Sequence, residues 1–338
     1  MVKKRIMSGM RSTGKLHLGH YFGVLKNWVS IQNDYECFYA IADWHALTTK
    51  YLDTSDMREN TLEVAKDWLC CGIDPNISTI YIQSHIPEIA ELHLLLSMVT
   101  PQNWVERDPT LKDMIKILRN NSDEETESSK ASYGLFGYPV LQTADIVIFN
   151  ANLVPIGSDQ LAHLELSRDI VRRFNYIYNT ELLIEPEPKL TDVPLLPGLD
   201  GNKMGKSFRN DIKISDDEET TIKKLMTAIT DPARTKKEIP GHVNDCQGIY
   251  PLYKAIASLD ILDTVKEECE TAKRGCVQCK RQLGEIINNY FKNIRQKRIE
   301  LDNSPEKLNE ILSDGKQKAR QQASLTLSEV KKAMKINY

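Results

Sequence analysis

The chain of 338 residues is 41% apolar and 27% charged, the proportions of an ordinary folded protein, and it is longer than one core usually organises, so two domains are expected. No apolar run of about 18 residues occurs, and the opening MVKKRIMSGM has neither a long apolar core nor a small-residue cleavage site. That argues against a membrane span or a secretion signal and makes the cytoplasm the expected compartment. The net charge of -3 is unevenly spread: residues 280–338 carry 13 Lys or Arg against 7 Asp or Glu, a pattern that suits a bound polyanion or a solvated helical surface.

In chain order, RIMSGM (5–10) reads as a short strand, followed by a helix with Leu18, Tyr21, Phe22, Leu25 and Val29 on one face. CFYAIA (37–42) is an unbroken apolar run, as expected of a strand covered on both faces. A helix with Leu62, Ala65, Trp68 and Leu69 inward stops at Gly72 and Pro75, and TIYIQS (79–84) follows as a strand. Strand alternating with helix predicts an α/β fold, a Rossmann-like parallel sheet with crossover helices. NNSDEETESSK (120–130) reads as a surface loop, and helix and strand then alternate again up to the proline-rich EPEPKLTDVPLLPG (185–198), the expected seam. Beyond about Ser215 the pattern is helical, with Leu283, Ile286, Ile287, Tyr290, Phe291 and Ile294 on one stripe and Leu327, Val330 and Met334 on another. The expected division is a catalytic domain over 1–212 and an all-helical domain over 213–338.

Two short motifs carry chemistry. KLHLGH (15–20) places His17 and His20 just after the first strand, where a turn opening a helix presents amides and a dipole to phosphate. A lone HxxH is more often a solvated helix start. GNKMGKS (201–207) presents Lys203 and Lys206 on a glycine-containing loop, able to follow charge onto a departing pyrophosphate. Alone, KxxKS carries little information, but together with HLGH and a sheet between them it is specific.

These two motifs resemble the HIGH-type and KMSKS-type signatures of class I aminoacyl-tRNA synthetases. SGMRSTGKLHLGHYFGVLKNWV, ADWHALTT, GYPVLQTADI, VPIGSDQLAHLELSRDI and GKQKARQQASLTLSEVKKAM are, more narrowly, similar to bacterial-type tryptophanyl-tRNA synthetases along the whole chain. The resemblance implies activation of L-tryptophan with ATP and Mg2+, release of pyrophosphate, and transfer of the acyl group to tRNA(Trp) by a homodimer. It implies His17, His20, Lys203 and Lys206 as catalytic residues. It assigns the ATP site to Arg11, Ser12, Thr13, Gly19, His20, Gly157, Ser158, Asp159, Lys203, Met204, Gly205, Lys206 and Ser207. Tryptophan falls to His45, Tyr138, Gln142, Asp145 and Gln160, with Asp145 accepting from the indole N–H and Tyr138 and Gln160 holding the ammonium or carboxylate. Two departures stand out: Ser12 occupies a place where proline is common, and Gly205 replaces the first serine of the KMSKS pattern.

A tyrosyl-tRNA synthetase is the nearest alternative, because a phenol also donates to a carboxylate. A nucleotidyltransferase sharing only HxGH is disfavoured by the KMGKS loop and the basic helical part. The intact His17, His20, Lys203 and Lys206 disfavour a non-catalytic RNA-binding paralogue.

Seven cysteines are an odd number for a disulfide framework; Cys37, Cys70 and Cys71 read as buried thiols. Cys246, Cys269, Cys276 and Cys279, spaced C-x22-C-x6-C-x2-C, suit a four-thiolate site for zinc or a [4Fe-4S] cluster. The resemblance favours the cluster, because a subgroup of tryptophanyl-tRNA synthetases holds one at this spacing.

Overall fold

The computed structural model describes residues 3–120, 131–157, 160–190 and 196–338. The predicted loop at 120–130 therefore lies almost wholly outside the described residues. Five strands pair in parallel: β1 (Arg5–Arg11), β2 (Glu36–Ala42), β3 (Ser78–Ile82), β4 (Leu153–Ile156) and β5 (Glu187–Leu190), in the order β3-β2-β1-β4-β5. The expected α/β architecture with a helical C-terminal region is present. Helices cover both faces of a parallel sheet, so β2 is buried at every position after Glu36. Strand order reverses about β1, which pairs with both β2 and β4, and this opens a crevice at the C-terminal ends of β1 and β4.

The helix entered at Leu18 contains a π turn over Tyr21–Leu25 before continuing as Lys26–Ile31. A π turn shifts the phase of the side chains that follow, so Trp28 and Ile31 take the fully buried places and Val29 stays on the margin. The Met57–Cys71 helix ends as expected on Gly72, whose left-handed φ of +110° suits glycine. Its inward face is rotated from the predicted one: Thr61, Val64, Ala65 and Trp68 are buried, while Leu62 and Leu69 lie on the flank. Glu63 and Asp67 on the same helix are also buried, because the Cys276–Asp302 helix packs on that side and brings Arg298 to both carboxylates.

The Cys276–Asp302 helix turns Leu283, Ile287 and Phe291 into a core shared with Leu16, Leu18, Tyr21 and Ile212. The final helix, Pro305–Ala333, returns to the sheet. It lies against β3, so close that a Cβ on Gly315 would collide with the Ile80 carbonyl, and Ala319, Ala323, Leu327 and Val330 join a core with Tyr81, Leu92 and Phe149. A strand left at the edge of a sheet is thereby covered. Among the described residues no helix is long and apolar enough to cross a membrane.

Candidate active site

The chain leaving β1 turns tightly over Ser12–Gly14: the Thr13 amide donates to the Arg11 carbonyl at 2.8 Å, and the fully buried Ser12 hydroxyl lies 3.2 Å from the Met57 sulfur. Gly14 has φ +89° with the Asn60 amide where a Cβ would stand, so only glycine fits without rearrangement. The next residues are stitched to the segment after the lysine loop, Leu18 N donating to Ile212 O and Ile214 N to Leu16 O, both at 2.9 Å. Behind them the Asp67 carboxylate accepts the Leu16 amide at 2.7 Å and the Arg298 guanidinium.

The His17 and His20 rings lie against each other, centroids 3.7 Å apart and tilted by 38°. Gly19 permits this, since a Cβ there would meet His17 Nδ1 at 2.9 Å. Burial pushes His17 down to about 4, with Asp211 opposing and Lys206 assisting, and pushes His20 down to about 2, with His17 and Lys206 assisting. Both rings are therefore held toward their neutral forms, and His17 Nδ1 is buried without a partner. Lys206 Nζ donates to the carbonyls of Thr13 at 2.9 Å and Gly14 at 2.7 Å, which docks the lysine loop on the first motif. Burial lowers its ammonium to about 8 against the pull of Asp67 and Asp211.

The loop itself is held by a residue the motif does not contain. Asn210 accepts the Gly205 amide at 2.9 Å and donates to the Lys203 carbonyl at 3.1 Å and to Asp200 at 2.7 Å. Met204 is buried against Gly19, whereas Lys203 is exposed. The two lysines paired by spacing thus occupy different environments. Gly157 follows β4 and its carbonyl accepts the Gln160 amide at 3.1 Å; Ser158 and Asp159, expected in the ATP site, lie outside the described residues.

At the other end of the crevice, the Tyr133–Val147 helix buries Tyr138 and Asp145 and leaves Gln142 half-buried. Asp145 accepts His45 Nε2 at 2.7 Å and Gln83 Nε2 at 2.8 and 2.9 Å, and Gln83 Oε1 in turn accepts the His45 amide at 3.3 Å. A carboxylate with these donors still has lone-pair capacity for another N–H. The Tyr138 and His45 rings meet edge to face, 6.2 Å apart, and the Tyr138 hydroxyl lies 2.6 Å from His163 Nε2. Arg11 reaches the same region from the end of β1, donating to Thr49 and to the Ala46 carbonyl. Gln160 caps the Leu161–Ile177 helix.

Gln83, Asp108, His163, Asn210 and Asp67 escaped the sequence reading. Gln83 could have been found, because it follows a strand whose C-terminal end opens on the crevice. The others act through contacts between distant segments and carry no local signal.

The four C-terminal cysteines lie on separate pieces. Cys246 sits in a turn, Cys269 near the end of the Leu259–Glu270 helix, and Cys276 and Cys279 in the first turn of the next helix. They are electrostatic neighbours: Cys269 raises Cys246, Cys276 raises Cys269, and Cys246 and Cys269 both raise Cys279. Burial is the largest cause in each case and takes Cys279 up to about 11, which favours the neutral thiol. The all-thiol donor set suits zinc or an iron-sulfur cluster, and the Arg234 guanidinium donates to the Cys269 sulfur at 3.5 Å. Yet among the described residues no three His, Cys, Asp or Glu side chains stand together as a metal-holding group. The expected four-thiolate site is therefore not evident as a formed ligand set: a turn, one helix end and the first turn of the next helix supply the four thiols.

A sheet with its crevice at the β1–β4 switch, a histidine pair after β1 and a lysine docked back onto that turn together define a nucleotide-handling α/β enzyme of the class I synthetase type. Residues 2–292 match the family described as tRNA synthetases class I (W and Y), and the chain belongs to that family. A tryptophan--tRNA ligase of Thermotoga maritima is 43% identical, covering 99% of this chain and 100% of that protein. One of Aquifex aeolicus is 38% identical, covering 98% and 100%. The tryptophanyl-tRNA synthetase of Campylobacter jejuni, solved with ADP and tryptophan, superposes with a TM-score of 0.87 at 34% identity over 98% of this chain and 99% of that one.

Proposed function

We infer that this chain is an aminoacyl-tRNA ligase acting on tryptophan: it activates L-tryptophan with ATP and passes the acyl group to tRNA(Trp). The observation that carries the choice of amino acid is Asp145, buried and braced by Gln83 and His45 as an acceptor for the one donor an indole offers. Relatives of the same family along the full chain support it. The tryptophan carboxylate attacks the α-phosphorus in line and pyrophosphate leaves, so catalysis consists of positioning and charge stabilisation.

In this reading Arg11, Ser12, Thr13, Gly19, His20 and Gly157 line the ATP site, together with Ser158 and Asp159, and Met204, Gly205 and Ser207 belong to the closing loop. His17, His20, Lys203 and Lys206 face the phosphates, with magnesium accompanying ATP as part of the substrate. His45, Tyr138, Gln142, Asp145 and Gln160 hold tryptophan, Tyr138 facing its ammonium group. Residues 1–212 form the catalytic unit, residues 213–338 meet the tRNA, the protein works as a homodimer, and the cytoplasm is its place of action. ATP–pyrophosphate exchange tested across the amino acids should show strong preference for tryptophan; equal efficiency with tyrosine would overturn the assignment in favour of a tyrosyl enzyme.

The proposal extends to a [4Fe-4S] cluster on Cys246, Cys269, Cys276 and Cys279, with structural zinc as the alternative. Its support is the donor chemistry, the proximity of the thiols and the basic Arg234 at the Cys269 sulfur. Such a group would pin the turn and the two helix ends that carry the thiols. Protein purified without oxygen should be brown and carry about four irons per chain. A colourless preparation with one zinc per chain would replace the cluster and leave the ligase reading intact.

A further inference from the structure

A buried row of carboxylate, imidazole and phenol runs behind the amino-acid end of the crevice. Asp108 follows the Gln102–Arg107 helix, His163 lies in the first turn of the Leu161–Ile177 helix, and Tyr138 belongs to the Tyr133–Val147 helix. Asp108 is 4% exposed and His163 2%. One Asp108 oxygen is committed to the amides of Thr110 at 2.9 Å and Leu111 at 3.1 Å, where the next helix starts. The other stands 2.6 Å from His163 Nδ1, and neither of these two atoms has another partner. His163 Nε2 then stands 2.6 Å from the Tyr138 hydroxyl.

The hydrogen positions follow from this geometry. Burial pushes the Asp108 carboxyl up, but His163 and the two amides more than offset it and hold it below its ordinary range, so it stays ionised. An ionised carboxylate only accepts, so His163 Nδ1, 2.6 Å from it, carries a proton, and we take the ring to carry that proton alone. Nε2 is left with a lone pair, and the Tyr138 O–H must donate to it. The oxygen of Tyr138 then has only lone pairs to offer its other neighbours.

We propose that Asp108 and His163 are positioning residues that set the direction of the Tyr138 hydroxyl and make it a pure acceptor for the ammonium group of the substrate. The inference rests on the reading that Tyr138 faces that ammonium. It singles out an isosteric variant. In Asp108→Asn the carbonyl oxygen is claimed by the Thr110 and Leu111 amides, so the NH2 group faces His163 Nδ1. That reverses the tautomer: Nε2–H donates to the Tyr138 oxygen, and the phenolic proton turns toward the ammonium. Asn replaces Asp equally well ahead of a helix, so the fold has no local reason to change.

The test measures inhibition of exchange by tryptamine, which has the ammonium and no carboxylate, and by indole-3-propionate, which has the reverse, in the parent, Asp108→Asn, Tyr138→Phe and the double variant. Asp108→Asn should weaken tryptamine on the order of 10- to 100-fold, the loss expected when a charged hydrogen bond is reversed, and leave indole-3-propionate within about twofold. The ratio of the two constants does not depend on the fraction of protein folded. The double variant should be no worse than Tyr138→Phe alone. Nitrogen-15 shifts of His163 should change from the Nδ1–H to the Nε2–H form. Equal losses for both inhibitors, or an unchanged tautomer, would overturn the proposal. If Tyr138→Phe weakens tryptamine and Asp108→Asn does not, the relay fails while the reading of Tyr138 stands. If Tyr138→Phe leaves tryptamine unaffected, the reading of Tyr138 fails first.

Discussion

The two ends of the crevice use burial in opposite ways. At the end proposed to take phosphate it holds His17 and His20 away from their charged forms and lowers the Lys206 ammonium to about 8, and Lys206 rests on the Thr13 and Gly14 carbonyls. At the end proposed to take the indole the acid is already braced: Asp145 has His45 and Gln83, and keeps a lone pair for one more donor. One end is suited to charge that arrives with ATP and leaves with pyrophosphate, so its groups must be able to gain and lose partners. The other suits a single neutral N–H, as proposed for the indole, and gains from having little to rearrange.

The strongest way to break this contrast is to remove the support behind the phosphate end. Arg298→Ala leaves Asp67 buried without the guanidinium it pairs with and Glu63 with only Lys66 and Lys15, and Asp67 also holds the Leu16 amide. A stability loss of about 3–5 kcal/mol is expected in denaturant unfolding; a loss under about 1 kcal/mol would show that the phosphate end is not braced from the helical region.

Lys206→Ala should slow single-turnover adenylate formation on the order of 10^2- to 10^3-fold with little change in tryptophan affinity, because its charge matters only as pyrophosphate departs. An unchanged rate would assign that work elsewhere, with the exposed Lys203 the first candidate.

At the other end, Asp145→Asn keeps the shape and removes the charge, and kcat/KM for tryptophan should fall roughly 10- to 100-fold with the ATP KM unaffected. A matching rise in the ATP KM would mean that the two ends are not separable.

A proton count sharpens the same comparison. With Lys206 at about 8 in the folded chain and about 10.5 unfolded, the unfolded state binds the extra proton between those values, so this group makes stability rise with pH across that window. Phosphates arriving beside it favour the ammonium, so ATP binding at pH 8 to 9 should take up a fraction of a proton. Calorimetry in buffers of different ionisation heat measures this, and Lys206→Arg should abolish it; tryptophan binding should show no comparable uptake.

The smallest effect is expected for Gly205→Ser. Gly205 is extended, with φ -167°, and an added Cβ would meet only the Phe208 ring edge at 3.1 Å, which a small ring shift relieves. Exchange activity should stay within about threefold of the parent, and an inactive variant would reveal a closed loop of different backbone.

Local pattern was enough for the first three strands, for the Gly72 helix stop and for the two motifs, because hydrophobic period, a left-handed glycine and glycine-flanked basic residues all act within a few positions of the chain. It failed at Glu187–Leu190, which lies in the proline-rich stretch expected as a seam and instead pairs with β4 as the fifth strand. The sequence determined on its own that a parallel sheet would present HLGH after its first strand. Only the tertiary structure decided which groups are serviced by which. Gln83 reaches Asp145 across 62 positions, His163 reaches Tyr138 across 25, and Arg298 reaches Asp67 across 231. The different environments of Lys203 and Lys206 and the return of the Pro305–Ala333 helix to β3 belong to the same class. Burial and hydrogen-bond partnership depend on the distance between side chains in space, and spacing along the chain constrains that distance only within a single helix or strand.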